Sequence, residues 1–159
     1  MFFRLKQGLA PIALAGALLA AAPVVAASAE SLIARSHTAA AKGQFDDAVM
    51  LMQAAIVADP SRAETYVSLG DLYADNKDLH FAHKYYDEAL YLDPALPSAL
   101  KGAGLADLAL GARKAAEDKL TRLEKVCGPD CKETAALRAA LDAGKNARAD
   151  AAPQSMDKP

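Results

Sequence analysis

Residues 63–94 read AETYVSLGDLYADNKDLHFAHKYYDEALYLDP, and the rest of the chain is interpreted from this stretch. Within it, two segments place apolar and small residues at the spacing of one helical face, and the polar tetrapeptide at 75–78 separates them. The residues on these two faces are Tyr66, Leu69, Gly70, Tyr73, Ala82, Tyr86 and Ala89. Asp93-Pro94 ends the second segment, because a proline disfavours the helical conformation of the residue before it. The stretch therefore predicts two helices joined by a short turn.

This pattern resembles the tetratricopeptide repeat, a helix-turn-helix unit of about 34 residues. The family pattern has a large residue, Leu-Gly and Tyr in the first helix, then Ala, an aromatic residue and Ala in the second, and a closing proline. The positions that match it in order and spacing are Tyr66, Leu69, Gly70, Tyr73, Ala82, Tyr86, Ala89 and Pro94. Lys77 departs from the pattern, since the family usually has a turn glycine there. The resemblance implies an all-α fold in which stacked helix pairs build an α-solenoid.

One such unit cannot bury its apolar face alone, so the resemblance implies neighbouring units. Pro60 lies one repeat length before Pro94, and Gly104 lies one repeat length after Gly70. The match is weaker in both neighbours, and Asp107 is one of the departures in the later one. We predict three repeats and a cap, with boundaries at 30–62, 63–96, 97–128 and 132–143 for the capping helix. Residues 144–159 are predicted to be a disordered tail.

Residues 1–29 have the features of a secretory signal peptide. Arg4 and Lys6 give a positive start, residues 7–29 carry no charge, and Ala27-Ser28-Ala29 is a small-x-small cleavage site. The expected cut follows Ala29, although a cut after Ala27 is an alternative. An uncleaved anchor helix is the rival interpretation, because an uncharged segment of this length could span a bilayer. These features are typical of bacterial export, so we expect a periplasmic protein.

Charge and composition exclude several classes of function. The chain has a formal net charge of −2 and no tryptophan, and loss of the two basic residues in the leader would make it more acidic. An acidic chain of this kind lacks the excess of positive charge that proteins use to bind the phosphates of nucleic acid. No Ser-His-Asp set, phosphate-binding glycine loop or carboxylate pair occurs in a context that supports catalysis. We therefore expect no enzymatic activity, no cofactor, and membrane contact only through export.

Cys127 and Cys131 are the only cysteines, and they flank a Gly-Pro-Asp turn. Two cysteines at this separation in an oxidising compartment favour a disulfide bond. Closing so short a loop stabilises the chain by about 2 kcal/mol at most, and the bond would pin the third repeat to the capping helix. A redox-active pair is the alternative, but it usually has C-x-x-C spacing within a βαβ pattern, and neither is present.

His80 and His83 are candidate metal ligands, because residues three apart on a helix share a face and Asp87 follows one turn later. A third ligand is not evident in the sequence. His83 also occupies a position where the family packs an aliphatic residue, which favours a half-buried histidine between helices. Metal handling through these histidines remains an alternative function, together with redox work at the cysteines.

In the family that this chain resembles, the first helices of successive repeats line a concave groove that binds polypeptides. By that pattern the groove residues here are Ile33, His37, Glu64, Val67, Asp71, Asp75, Lys101 and Leu105. Because the middle of this set is acidic and its end is apolar, we expect a protein or peptide partner with basic and apolar residues. We predict a non-catalytic adaptor or scaffold, with self-association through the open first repeat as an alternative.

Overall fold

The structure, a computed structural model, describes residues 28–151 of the chain, with side chains as far as residue 144. Within this range the chain forms seven α-helices and no strand. The helices are α1 (Ala29–Ala41), α2 (Phe45–Ala58), α3 (Ala63–Asp75), α4 (Leu79–Leu92), α5 (Pro97–Ala109), α6 (Arg113–Cys127) and α7 (Lys132–Ala151). The all-α class predicted from the sequence is confirmed.

The helices recur with a fixed period along the chain. Helices α1, α3 and α5 start at positions 29, 63 and 97, and α2, α4 and α6 start at 45, 79 and 113, so equivalent starts are always separated by the same interval. Consecutive helices pair as α1 with α2, α3 with α4 and α5 with α6, and α7 packs against the last pair. Because α2 also contacts α3 and α4 contacts α5, the pairs stack in chain order. This stack is the predicted α-solenoid.

The turn within each helix pair contains one residue with positive φ, at equivalent positions. Gly43 and Gly111 have φ of 73° and 83°, and Lys77 has φ of 66°. Glycine adopts this conformation freely, whereas a residue with a side chain adopts it at a cost of roughly 1–2 kcal/mol. The central turn therefore keeps the geometry of its neighbours even though lysine replaces glycine. The following Asp78 caps α4, because its side chain accepts a hydrogen bond from the Phe81 N–H at 3.5 Å.

Tyr86 of α4 fills the space between α3 and α5. Its side chain is buried, and its ring lies against Gly70 of α3 and Gly102 of α5. A Cβ atom at Gly70 would lie 2.7 Å from Tyr86 Cε1, and a Cβ atom at Gly102 would lie closer still. Both positions must therefore lack a side chain for the three helices to pack. Gly104 has the same role against the cap, since a Cβ atom there would lie 2.6 Å from Leu137 Cδ2 of α7.

Aromatic rings form the contact between the first two helix pairs. Tyr73 of α3 packs edge-on against Phe45 of α2, with ring centroids 5.5 Å apart, and stacks on Tyr85 of α4 at 5.4 Å. Aromatic pairs at such distances contribute about 0.5–1.5 kcal/mol beyond the burial of their surface. This junction is therefore held by apolar packing.

Charged groups replace those rings at the next junction. Asp107 and Lys119 stand in the third helix pair at the positions that Tyr73 and Tyr85 occupy in the second, and the Asp107 carboxylate is buried. Its two oxygens lie 2.8 Å from His83 Nε2 and 3.5 Å from Lys119 Nζ. A buried charge is tolerated when it is paired and hydrogen-bonded. Asp107 departs from the repeat pattern, and the residues that contact it, His83 and Lys119, are correspondingly basic.

The two ends of the stack are closed in different ways. At the first pair, Arg35, Thr38 and Asp47 stand at the positions of Leu69, Leu72 and Phe81, so the face that a preceding repeat would cover is polar. At the other end, α7 buries Leu137 and Leu141 against the third pair. Terminal repeats of solenoids need such solvated outer faces. The polar first face gives no support to self-association through that end.

Two observed boundaries differ from those expected. Helix α1 begins at Ala29, which is buried, and Ser28 caps it by accepting a hydrogen bond from the Ser31 N–H. Helix α7 continues to Ala151, so its predicted end at 143 came too early, because residues 143–151 include four alanines that favour helix. The predicted leader at 1–29 lies outside the described residues as far as position 27, and the predicted tail at 144–159 lies outside them beyond position 151. Among the helices that are described, none is long and apolar enough to cross a membrane.

We expect Gly102→Ala to lower the free energy of unfolding by roughly 1–3 kcal/mol, because the added methyl group overlaps the Tyr86 ring. Alanine is a better helix former than glycine by about 1 kcal/mol, so destabilisation would show that the overlap outweighs propensity. Urea unfolding followed by circular dichroism measures the change. Ser98→Ala on the same helix is the control. A Gly102→Ala protein as stable as the parent would contradict the close packing of the Tyr86 ring on Gly102.

Candidate functional site

The first helices of the three pairs, α1, α3 and α5, line a groove that contains two hollows. The first hollow, between α1 and α3, has a volume of about 550 Å³. Its walls are formed by Glu30, Ile33, Ala34, His37, Arg62, Glu64, Thr65 and Ser68. We call it the polar hollow, since most of these side chains carry a charge or a hydroxyl group. Thr65 Oγ1 is buried there without a hydrogen-bond partner among the described residues.

The second hollow lies between α3 and α5 and has a volume of about 380 Å³. Its walls are formed by Asp71, Ala74, Asp75, Leu79, Tyr86, Lys101, Gly102, Leu105 and Ala106. We call it the acidic hollow, because Asp71 and Asp75 lie one turn apart on α3 and both are exposed. The remaining wall is largely apolar. A ligand in this hollow would meet two carboxylates on one side, and aliphatic surface together with Lys101 on the other.

Seven of the eight residues predicted for the groove line these hollows. Ile33, His37 and Glu64 line the polar hollow, and Asp71, Asp75, Lys101 and Leu105 line the acidic hollow. Val67 is different, because its side chain is 7% exposed and belongs to the core cluster that contains Ala99 and Ala103 of α5. The assignment of Val67 to the groove surface is therefore wrong. The close approach of α5 to α3 buries this position.

Two features of the polar hollow were missed by sequence reasoning. Arg62, in the connection before α3, places Nη1 2.7 Å from Glu30 Oε1 on α1. A backbone hydrogen bond, and then the guanidinium of Arg62, hold the pKa of Glu30 below its usual value. Ser68 was also missed, although it lies one turn after Glu64 on the same face of α3. The Glu30–Arg62 pair links residues 32 positions apart, and no spacing rule within a helix indicates such a contact.

The carboxylates of α3 are available to a ligand. Glu64 and Asp75 are exposed, and neither forms an ion pair within the described part of the chain. Asp71 accepts one hydrogen bond, from the Tyr86 hydroxyl at 2.7 Å. The three residues occupy one stripe of the helix, at spacings of seven and four. The groove therefore presents a line of unneutralised negative charge along α3.

The hydroxyl of Tyr86 connects the core to the groove. Burial raises the pKa of this hydroxyl, and the hydrogen bond to Asp71 and the negative charge of that carboxylate raise it further. A phenolate at this position would lie in the core and face a carboxylate, so the neutral form is favoured. Tyr86 therefore stays protonated throughout the physiological range, donates a hydrogen bond to Asp71 and fixes the direction of that carboxylate.

The cysteines lie outside the groove, at the connection between α6 and α7. The Sγ atoms of Cys127 and Cys131 are at bonding distance, with Cα atoms 5.9 Å apart, a separation that is usual for disulfides. A carboxylate oxygen of Glu133 lies within 4.8 Å of both sulfur atoms. Within the described residues, this trio is the only group of three histidine, cysteine or acidic side chains close enough to share a metal ion.

The candidate histidines are not brought together with further ligands. His83 is half-buried, as expected, and its two ring nitrogens face Asp107 at 2.8 Å and Asp87 at 3.3 Å. His80 is exposed on the same helix. Neither histidine belongs to a group of three metal-ligating side chains in the part of the chain that is described. Through Asp107, His83 connects α4 to α5, which is a structural role.

Comparison with known proteins identifies the repeat. The family model described as "tetratricopeptide repeat" matches residues 63–96. No curated protein matches the chain in sequence. The central helix pair is therefore a tetratricopeptide repeat that is recognised from sequence.

Solved structures show the same fold. The first TPR of Spaghetti (RPAP3), bound to HSP90 peptide SRMEEVD, is 21% identical and superposes with a TM-score of 0.66 over 76% of this chain and 95% of its own. The Arabidopsis OM64 TPR domain is 18% identical, with a TM-score of 0.66 over 74% and 96% of the two chains. The Yersinia enterocolitica type III secretion translocator chaperone SycD is 23% identical, with the same TM-score over 76% and 93%. The chain thus has the fold of a tetratricopeptide repeat domain.

We expect alkaline pH to destabilise the protein partly through Tyr86. An unfolded tyrosine loses its proton near pH 10, whereas folded Tyr86 keeps it because its pKa is raised. Above about pH 10 the unfolded state binds fewer protons than the folded state, so the free energy of unfolding falls as pH rises. Urea unfolding between pH 9 and 11 should show this fall.

Tyr86→Phe should reduce the slope of that fall. Some slope should remain, because burial also raises the pKa of Tyr73. Tyr91→Phe is the matched control, since Tyr91 is 84% exposed. If the Tyr86→Phe and parent proteins lost stability equally with pH, the assignment of this effect to Tyr86 would be wrong.

Proposed function

We propose that this protein is an exported, non-catalytic adaptor that holds a segment of another polypeptide in the groove formed by α1, α3 and α5. The observation that carries the proposal is the acidic hollow, in which Asp71 and Asp75 stand exposed beside an apolar wall. The hollow is large enough for a side chain, and it offers negative charge on one side and apolar surface beside it. It therefore suits a ligand side chain that has both a charged and an apolar part. Scaffolding would be achieved by binding alone.

The comparisons support a peptide as the kind of ligand. The first and second TPRs of Spaghetti (RPAP3), which share the fold, are each bound to HSP90 peptide SRMEEVD. That peptide is acidic. The stripe of Glu64, Asp71 and Asp75 would repel such a sequence, so the partner of this chain is proposed to differ in charge.

The charge of the groove favours a partner segment with lysine or arginine next to apolar residues. A lysine or arginine side chain can lay its aliphatic stem on Leu79 and Leu105 and direct its charged end to Asp71 and Asp75. Charge-assisted hydrogen bonds of this kind contribute more than neutral ones. Lys101 lies on the opposite side of the hollow and would exclude a second cation there.

We also propose that the chain is exported to the periplasm and that its cysteines form a disulfide there. The leader features of residues 1–29 support export, and the placement of the two sulfur atoms at bonding distance supports the bond. A cut after Ala29, the position predicted from the sequence, would remove the Ser28 cap and the buried Ala29. A cut after Ala27 would keep both.

Reversing the charge of the acidic hollow tests the adaptor function. We expect the double variant Asp71→Lys, Asp75→Lys to recover much less partner than the parent when each is used as bait against envelope extracts of the source cell. The physical reason is that two attractive contacts to a basic segment become repulsive. Mass spectrometry of the recovered proteins gives the readout.

The matched control is Glu88→Lys with Asp130→Lys, which changes net charge equally at two exposed positions outside the groove. Circular dichroism should show that both double variants keep their helix content. Equal recovery by the groove variant and the parent would remove the basis for this proposal, as would loss of the partner in the control alone.

The N-terminus of the protein recovered from the periplasmic fraction tests export and the position of the cut. We expect it to begin at Ser28, because that cut preserves the cap of α1, which contributes roughly 0.5–2 kcal/mol. Intact mass determination resolves the alternatives. A start at Glu30 would show that the cap is dispensable, and recovery in the cytoplasm with residues 1–27 attached would contradict export.

A further inference from the structure

The two cysteines lie between helix ends of opposite polarity. Cys127 is the last residue of α6, and Cys131 directly precedes α7, where its carbonyl accepts the hydrogen bond of the Ala135 N–H at 3.0 Å. The first turn of a helix carries partial positive charge and the last turn partial negative charge. A thiolate is therefore stabilised at Cys131 and destabilised at Cys127. This asymmetry suits a pair in which one sulfur attacks and the other resolves.

Glu133 adds a second, independent feature to the same site. Its carboxylate lies within 4.8 Å of both sulfur atoms, and its side chain is only 16% exposed. A half-buried carboxylate beside a thiol can accept the proton that the thiol must lose before it attacks. The cluster thus brings together two sulfur atoms and one base.

The loop that carries the cysteines is held by contacts that do not involve sulfur–sulfur bonding. The Thr134 hydroxyl donates to the Gly128 carbonyl at 2.9 Å, and Arg138 Nη1 donates to the Pro129 carbonyl at 3.1 Å. Arg138 Nη2 also pairs with Glu124 of α6 at 2.8 Å. These contacts join the loop and both flanking helices. Opening the bond would therefore leave α7 in place on the third helix pair.

We propose that Cys127 and Cys131 form an exchange-active pair that reacts with disulfides of other molecules. This activity lies outside the groove and goes beyond the adaptor function. A dithiol of another molecule first reduces the Cys127–Cys131 bond and is itself oxidised to a disulfide. The Cys131 thiolate then attacks one sulfur of a substrate disulfide, forms a mixed disulfide and releases the other substrate sulfur as a thiolate. Cys127 gives its proton to Glu133 and attacks Cys131 Sγ, which releases the second substrate sulfur as a thiolate. Two electrons pass from the protein to the substrate.

Oxidised glutathione is a suitable probe, because it is a small disulfide that reaches a half-exposed sulfur. Two single variants of the reduced full chain allow the reactivity of each cysteine to be measured by itself. Cys127→Ser keeps Cys131, and Cys131→Ser keeps Cys127. At pH 6.5 we expect Cys131 to form its mixed disulfide at least about tenfold faster than Cys127, as a stabilised thiolate requires. Intact mass determination after acid quenching measures both rates.

Glu133→Gln tests the base. In this variant the first attack should not slow, because loss of the nearby negative charge favours the Cys131 thiolate. Release of the second glutathione should slow about tenfold or more, since general bases contribute at least that much. Asp130→Asn is the control, because Asp130 is an exposed carboxylate in the same loop that does not belong to the cluster. Equal second-step rates in the Glu133→Gln protein and the parent would refute the role of Glu133.

Two results would overturn the proposal as a whole. One is equal or reversed rates for the two single-cysteine variants, each shown by circular dichroism to be folded. The other is a disulfide in the parent protein that excess dithiothreitol reduces only after denaturant is added. Neither result bears on the groove, since the cysteine variants should recover the groove partner as the parent does.

Discussion

The ring of Tyr86 sets the separation of three helices, because it lies between Gly70 of α3 and Gly102 of α5 while its own backbone belongs to α4. Neither glycine can gain a side chain without displacing the ring. The same residue carries its hydroxyl to the groove, where it binds Asp71 at 2.7 Å. One side chain therefore fixes the stacking of the second and third helix pairs and the orientation of a groove carboxylate. Packing and the chemistry of the site are not independent in this molecule.

The repeats have diverged at their contacts while keeping the same backbone. The first junction is aromatic, around Tyr73, and the second is ionic, around Asp107, although these two residues are equivalent in the repeat. In a solenoid, stability is approximately the sum of each pair and its interfaces with its neighbours. An aromatic surface and a buried carboxylate do not complement each other. The difference between junctions thus favours stacking of the pairs in one order.

The helices and turns could be predicted from the sequence because a fixed period repeats the same local signals. Even Lys77 could be placed in a turn, since Gly43 and Gly111 mark the equivalent positions. The site was predicted less completely, because it depends on contacts between helices. Val67 falls on the groove side by spacing alone, and only the approach of α5 buries it. The pairing of Glu30 with Arg62 likewise depends on the distance between neighbouring helix pairs, which no single-helix pattern contains.

The groove can vary in charge because its residues contribute little to stacking. Glu64 and Asp75 are exposed and make no ion pair with other described residues, so the core does not constrain them. Asp71 is the exception, since its partner is the buried Tyr86 hydroxyl. Leaving that hydroxyl without an acceptor costs roughly 1–3 kcal/mol. The fold therefore favours a hydrogen-bond acceptor at this position, whereas the charges at the other two can be adjusted to the partner. The acidic stripe combines one carboxylate that contacts the core with two that determine specificity.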